Sequence, residues 1–95
     1  MQRSELDHLV VASARLDEGI DWAEQHLGVR PHPGGQHVTM GTHNALLKLG
    51  PRCYLEVIAI DPEGASPTRS RWFGLDEATM QARLASGPAL ITWVL

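Results

Sequence analysis

Two residues stand where chemistry is easier to explain than structure. His8 lies within Leu6-Asp7-His8-Leu9-Val10-Val11-Ala12, and Glu56 lies within Tyr54-Leu55-Glu56-Val57-Ile58-Ala59-Ile60, the most apolar strand candidate in the chain. Side chains alternate between the two faces of a strand, so His8 shares its side with Leu6, Val10 and Ala12. A histidine so placed is either a hydrogen-bonded core residue or a ligand. Glu56 also has two readings. It faces water on a one-sided sheet, or it is buried, which costs several kcal/mol unless the carboxylate is paired or bound to a cation. An imidazole on one strand and a carboxylate on another suit a borderline divalent metal such as Zn, Mn, Fe or Ni.

The other candidates are weaker chemically. His37, His43 and Asn44 cluster around Gly41-Thr42-His43-Asn44, which reads as a turn. They are expected to line or rim one cleft as substrate-binding residues, because turns on a rigid scaffold often carry binding groups. The alternative is that Thr42 and Asn44 only serve the turn. His26, near the exposed end of a first helix, and His32, in a Pro/Gly stretch, read as solvated. Cys53 is the single cysteine. It rules out an internal disulfide framework, suits a reducing compartment, and reads as a small buried residue before a strand. Gly34 and Gly35 lack the spacing and helix context of a phosphate loop. No Ser-centred nucleophile motif is present.

The elements that must position His8 and Glu56 follow from periodicity. Leu16, Ile20, Ala23 and Leu27 draw one apolar stripe at helical spacing, with Asp17 and Glu18 in the first turn and Gly28 after the last. Pro31 to Gly35 is a Pro/Gly turn region. Strands are expected at about Gln36 to Met40, Ala45 to Leu49 and Tyr54 to Ile60, giving the order βαβββ. Asp61 to Pro67 is the best candidate linker. A second helix is expected from Asp76 as N-cap to Ser86, closed by Gly87 and Pro88. Ala89 to Leu95 is an apolar, strand-like run in which the chain stops. It is either cut from a longer protein, paired with something outside the unit, or tucked into its own sheet.

Composition narrows the functional classes. A chain of 95 residues is one small domain. Hydrophobic residues at 43% and charged residues at 20% are ordinary for a globular protein. A net charge of −3, with no basic block, argues against nucleic acid as a partner. No signal-peptide core opens the sequence, and no apolar run approaches the roughly 18 residues of a membrane span. A cytoplasmic protein without membrane contact is expected.

The sequence resembles a known family. The blocks that carry the likeness are Leu-Asp-His-Leu-Val-Val at 6–11 and His-Leu-Gly-Val-Arg-Pro at 26–31. Gly-Thr-His-Asn-Ala-Leu-Leu-Lys-Leu-Gly at 41–50 and Tyr-Leu-Glu-Val-Ile-Ala-Ile-Asp-Pro at 54–62 complete them. They look like the glyoxalase-like domain family of the vicinal oxygen chelate superfamily, which includes bleomycin-resistance proteins and dioxygenases. The likeness is closest over Leu6 to Pro62 and looser from Trp72 to Leu95.

The resemblance implies an α+β fold: a βαβββ half-barrel module of vicinal oxygen chelate type over 1–62. Residues 63–95 would then be a linker, a helix and the first strand of a missing or swapped second module. It also implies that strands one and four each supply a metal ligand, which His8 and Glu56 match. The run Ile91 to Leu95 would lie against strand one and bring Trp93 to the second module's ligand position, where Trp cannot bind metal. Two functions then compete. One is metal-assisted lyase, isomerase or dioxygenase chemistry on a small oxygen-bearing substrate, completed by a second module or subunit. The other is a metal-free module of the same fold that sequesters a small molecule. A homodimer is expected in either case, because a lone module leaves one apolar sheet face open.

Overall fold

The computed structural model describes residues 6–37, 41–62, 64 and 72–95. Five strands form one mixed sheet in the order β2-β3-β4-β1-β5. In chain order the elements are β1 (His8–Ala12), α1 (Leu16–Leu27), β2 (His32–His37), β3 (Thr42–Lys48), β4 (Tyr54–Ile60), α2 (Ala78–Ala85) and β5 (Ala89–Val94). A short 3-10 turn at Trp72–Gly74 precedes α2. Strands β2, β3 and β4 run antiparallel in succession, and α1 carries the chain from β1 so that β1 returns beside β4 in parallel. The α+β class and the βαβββ order are as expected.

Helix α1 closes as its sequence implies. Gly28 adopts the left-handed conformation (φ 76) and its N–H donates to the Glu24 carbonyl at 2.8 Å. The stripe of α1 buries Ile20 and Ala23 against Val11, Ala45, Leu55 and Val57, forming the core on one face of the sheet. Gly19 lets the helix sit down closely, since a Cβ there would come within 2.5 Å of Val57 Cγ1.

Several boundaries differ from the sequence reading. Strand β2 begins at His32 and runs through Pro33-Gly34-Gly35, the stretch read as a turn. It is an edge strand with a bulge between Pro33 and Gly35, where a missing proline N–H and a flexible glycine cost little. Of the expected strand from Gln36 to Met40, Val38 to Met40 lie outside the described residues. Strand β3 begins at Thr42, so only Gly41 (φ 61) serves the turn; Thr42, His43 and Asn44 pair with Ile60, Ala59 and Ile58. The N-cap of α2 is Glu77 in place of Asp76.

The second face of the sheet is partly covered from within the chain. Leu75 and Leu84 bury against Val10, Ala12 and Ile58, with Phe73, Met80, Ile91 and Val94 packed around them. The face expected to stay open is thus capped at its Ala12–Ile58 end, where Leu84 of α2 and Leu75 just before it pack on the sheet. Strand β5 joins the same sheet, antiparallel to β1. Among the described residues, no helix is long and apolar enough to cross a membrane.

Candidate functional site

At the other end of that second face, the side chains of β1, β3 and β4 leave a cleft of about 480 Å³. His8, Asn44, Leu46, Tyr54, Glu56, Phe73 and Val94 line it. The parallel register sets His8 beside Tyr54 and Val10 beside Glu56, which keeps His8 and Glu56 on one side and one step apart. Their side chains meet: His8 Nε2 lies 3.3 Å from Glu56 Oε1. Glu56 does not face water, being only 7% exposed, and His8 is 9% exposed.

Further polar contacts fix both groups. Asn44 Nδ2 donates to Glu56 Oε2 at 2.9 Å, leaving Oε1 turned toward the imidazole. Asn44 in turn packs over Gly34, where a Cβ would strike Asn44 Oδ1. His8 Nδ1 lies 2.7 Å from Asp7 Oδ2, and the Tyr54 ring stacks on the imidazole with centroids 4.6 Å apart and planes 10° from parallel. Burial pushes the Tyr54 phenol above its ordinary value, and the carboxylates of Asp7 and Glu56 push in the same direction. Phe73 closes one side of the cleft from a left-handed backbone conformation (φ 60), rare for a bulky residue, and Gly74 follows at φ 69.

His43 and Trp93, also expected at the site, do not join this cleft. His43 precedes Asn44 on β3, so strand alternation turns it to the opposite face, where it borders a separate hollow with Leu16 and Ile20 of α1. There its Nε2 is buried, with no hydrogen-bond partner among the described residues. The shared cleft expected for His43 and Asn44 is therefore corrected: a strand, not a turn, carries them. The backbone of His37 pairs with Thr42, and its side chain lies outside the described residues. Trp93 is also displaced. The β1–β5 ladder sets Val94 opposite His8 and Trp93 opposite Leu9, one residue out of the expected register, and Trp93 is 63% exposed.

Asp7, Tyr54, Phe73 and Gly34 escaped the sequence reading. The signal for Asp7 was its place directly before His8. Tyr54 was findable only once β1 and β4 were known to run in register.

The donor set fits half of a metal site. One imidazole nitrogen and one carboxylate oxygen face each other in a low-dielectric setting, and both suit a borderline divalent cation. Among the described residues no group of three or more His, Cys, Asp and Glu could hold a metal ion. The described residues thus bring two candidate donors, His8 and Glu56, together.

Comparison with known proteins bears on the fold and the family. Methylmalonyl-CoA epimerase from Mycobacterium tuberculosis superposes with a TM-score of 0.55 at 24% identity, covering 93% of this chain and 51% of that one. A variant of the Streptomyces coelicolor methylmalonyl-CoA epimerase in complex with 2-nitronate-propionyl-CoA gives a TM-score of 0.55 at 21% identity, covering 95% of this chain and 58% of that one. The chain thus spans about half the length of these structures, and at such identities the likeness is one of fold. No curated protein matches the sequence. The glyoxalase-like domain family matches over residues 6–95, and the chain belongs to that family.

Proposed function

We propose that this chain supplies one half of a metal-assisted isomerase site, with His8 and Glu56 as its two ligands to a divalent cation. The observation that carries the reading is the buried 3.3 Å approach of His8 Nε2 to Glu56 Oε1 in a cleft that Leu46, Phe73 and Val94 also line. When bound, the cation would act as a Lewis acid toward two neighbouring oxygens of a small acyl substrate. The protein's own contribution is orientation. Asn44 holds the second Glu56 oxygen and so restrains the carboxylate, and Leu46, Phe73 and Val94 set apolar surface beside the polar pair.

A second module or a second subunit would complete the site, since this chain presents two donors. The epimerase neighbours, one of them holding a propionyl-CoA analogue, support proton transfer beside a carbonyl as the reaction class. A second reading, metal-free sequestration of a small molecule, is favoured by the lack of a third ligating side chain among the described residues.

Elemental analysis of protein purified without a His tag or added metal, followed by titration with Co²⁺, separates the two. The metal reading expects a bound divalent ion that is lost in His8→Ala and in Glu56→Gln. Failure of the wild-type protein to retain or bind any divalent ion would leave sequestration.

A further inference from the structure

We infer that Asp7 and Tyr54 are positioning residues that set the tautomer and the plane of the His8 imidazole. Two carboxylates compete for the single ring hydrogen of a neutral imidazole. Asp7 Oδ2 lies 2.7 Å from Nδ1, whereas Glu56 Oε1 lies 3.3 Å from Nε2. An ionised carboxylate only accepts, and the shorter contact is in the range of a charge-assisted hydrogen bond. The hydrogen therefore sits on Nδ1, and Nε2 turns a lone pair toward the cleft. That is the form in which an imidazole binds a cation, with an outer carboxylate fixing the ring.

The backbone explains how Asp7 holds its place although its side chain is 53% exposed. Its N–H donates to the Val94 carbonyl at 2.7 Å, and its own carbonyl accepts from the Tyr54 N–H at 3.3 Å. Asp7 is thus stitched between β5 and β4, just ahead of β1. Tyr54 adds a second constraint: its ring, in register with His8, stacks flat on the imidazole. The Asp7 carboxylate on Nδ1 and the Tyr54 ring on the imidazole face form a clamp that leaves Nε2 toward Glu56 and the cleft.

The clamp can be tested on the metal-free protein, because the tautomer is a property of this chain alone. Long-range ¹H–¹⁵N correlation spectra, recorded at a pH well above the ordinary imidazole range, distinguish Nδ1–H from Nε2–H. The His8 signals are assigned by their loss in His8→Gln. The wild type is expected to show Nδ1–H, and Asp7→Ala to shift to Nε2–H donated to Glu56. Asp7→Asn, which keeps the shape if Asp7→Ala does not fold, is expected to give a mixture of the two. An Nε2–H tautomer in the wild type, or an unchanged spectrum in whichever Asp7 variant folds, would overturn the inference. Tyr54→Phe keeps the stacked ring and should give the wild-type spectrum, whereas Tyr54→Ala should free the ring plane and lower the Nδ1–H population; a Tyr54→Ala spectrum identical to wild type would remove Tyr54 from the clamp.

A second measurement rests on the metal reading of the site. Co²⁺ affinity should fall by about 10- to 100-fold in Asp7→Ala, the usual effect of losing an outer-shell partner. If the wild type binds no Co²⁺, the metal reading fails while the tautomer result stands on its own.

Discussion

Substituting Gly34 by alanine tests whether Asn44 is pinned between an edge strand and Glu56. The backbone at Gly34 is not left-handed, so alanine meets no conformational penalty there, and the cost comes from contact. The new Cβ would strike Asn44 Oδ1 and would lie 3.2 Å from Leu46 Cγ and 3.3 Å from Asn44 Cγ. Two responses are open. Either β2, an edge strand already bulged between Pro33 and Gly35, swings outward, or Asn44 gives up its 2.9 Å bond to Glu56. A hydrogen bond to a charged group contributes about 1.5–3 kcal/mol, and the yielding edge lowers the cost, so we expect a loss of about 1–2 kcal/mol. For a domain of this size that is a fall in Tm of roughly 4–16 °C, readable by calorimetry or denaturant titration. The decisive comparison is a double-mutant cycle. In an Asn44→Ala background the clashing oxygen is gone, and Gly34→Ala should cost only a few tenths of a kcal/mol from the Leu46 contact. Equal costs in the two backgrounds would refute the pinning of Asn44, and so the account of how Glu56 is held toward His8.

Three further outcomes follow from particular residues. His43→Leu removes a buried nitrogen with no partner among the described residues, and should stabilise the fold by about 1 kcal/mol in denaturant unfolding without altering Co²⁺ binding at the cleft; destabilisation would mean that Nε2 is satisfied in solution. The raised Tyr54 phenol means that the folded state keeps a proton the unfolded chain gives up, so stability should decline as pH rises through 10.0. Tyr54→Phe should lack that decline, and an identical alkaline fall in both proteins would contradict it. Leu90 and Trp93 on the sheet-edge strand β5, and Leu95 directly after it, expose 52%, 63% and 71% of their surface, and light scattering after size exclusion should give the mass of two chains. Trp93→Ala should shift that equilibrium toward one chain, and a one-chain mass for the wild type at micromolar concentration would refute self-association.

What the sequence made legible, and what it hid, turns on the parity of strand residues. Helix α1 was readable because its stripe, acidic first turn and Gly28 agree on a single period. Strand β4 was readable as a strand but not as a sided one: Leu55 to Ala59 are all buried, since α1 covers one face while α2 and the cleft's own side chains cover the other. With no exposed position to break the pattern, the burial of Glu56 could not be told from water-facing alternation. Turn chemistry misled in a related way. Gly41-Thr42-His43-Asn44 and Pro33-Gly34-Gly35 carry turn residues, yet β4 runs as far as Ile60 and needs partners along its whole length, so pairing drew Thr42 to Asn44 into β3. Once they are strand residues, His43 and Asn44 must face opposite ways, and only one can reach the cleft. The same rule decides the β1–β5 ladder. A single residue of register puts Val94 beside His8 and sends Trp93 to the other side. Every residue lining the cleft from a paired strand (His8, Asn44, Leu46, Tyr54, Glu56 and Val94) is therefore fixed by three registers together, β1 with β4, β4 with β3, and β1 with β5. A one-residue slip in any of them would exchange an apolar side chain for part of the site.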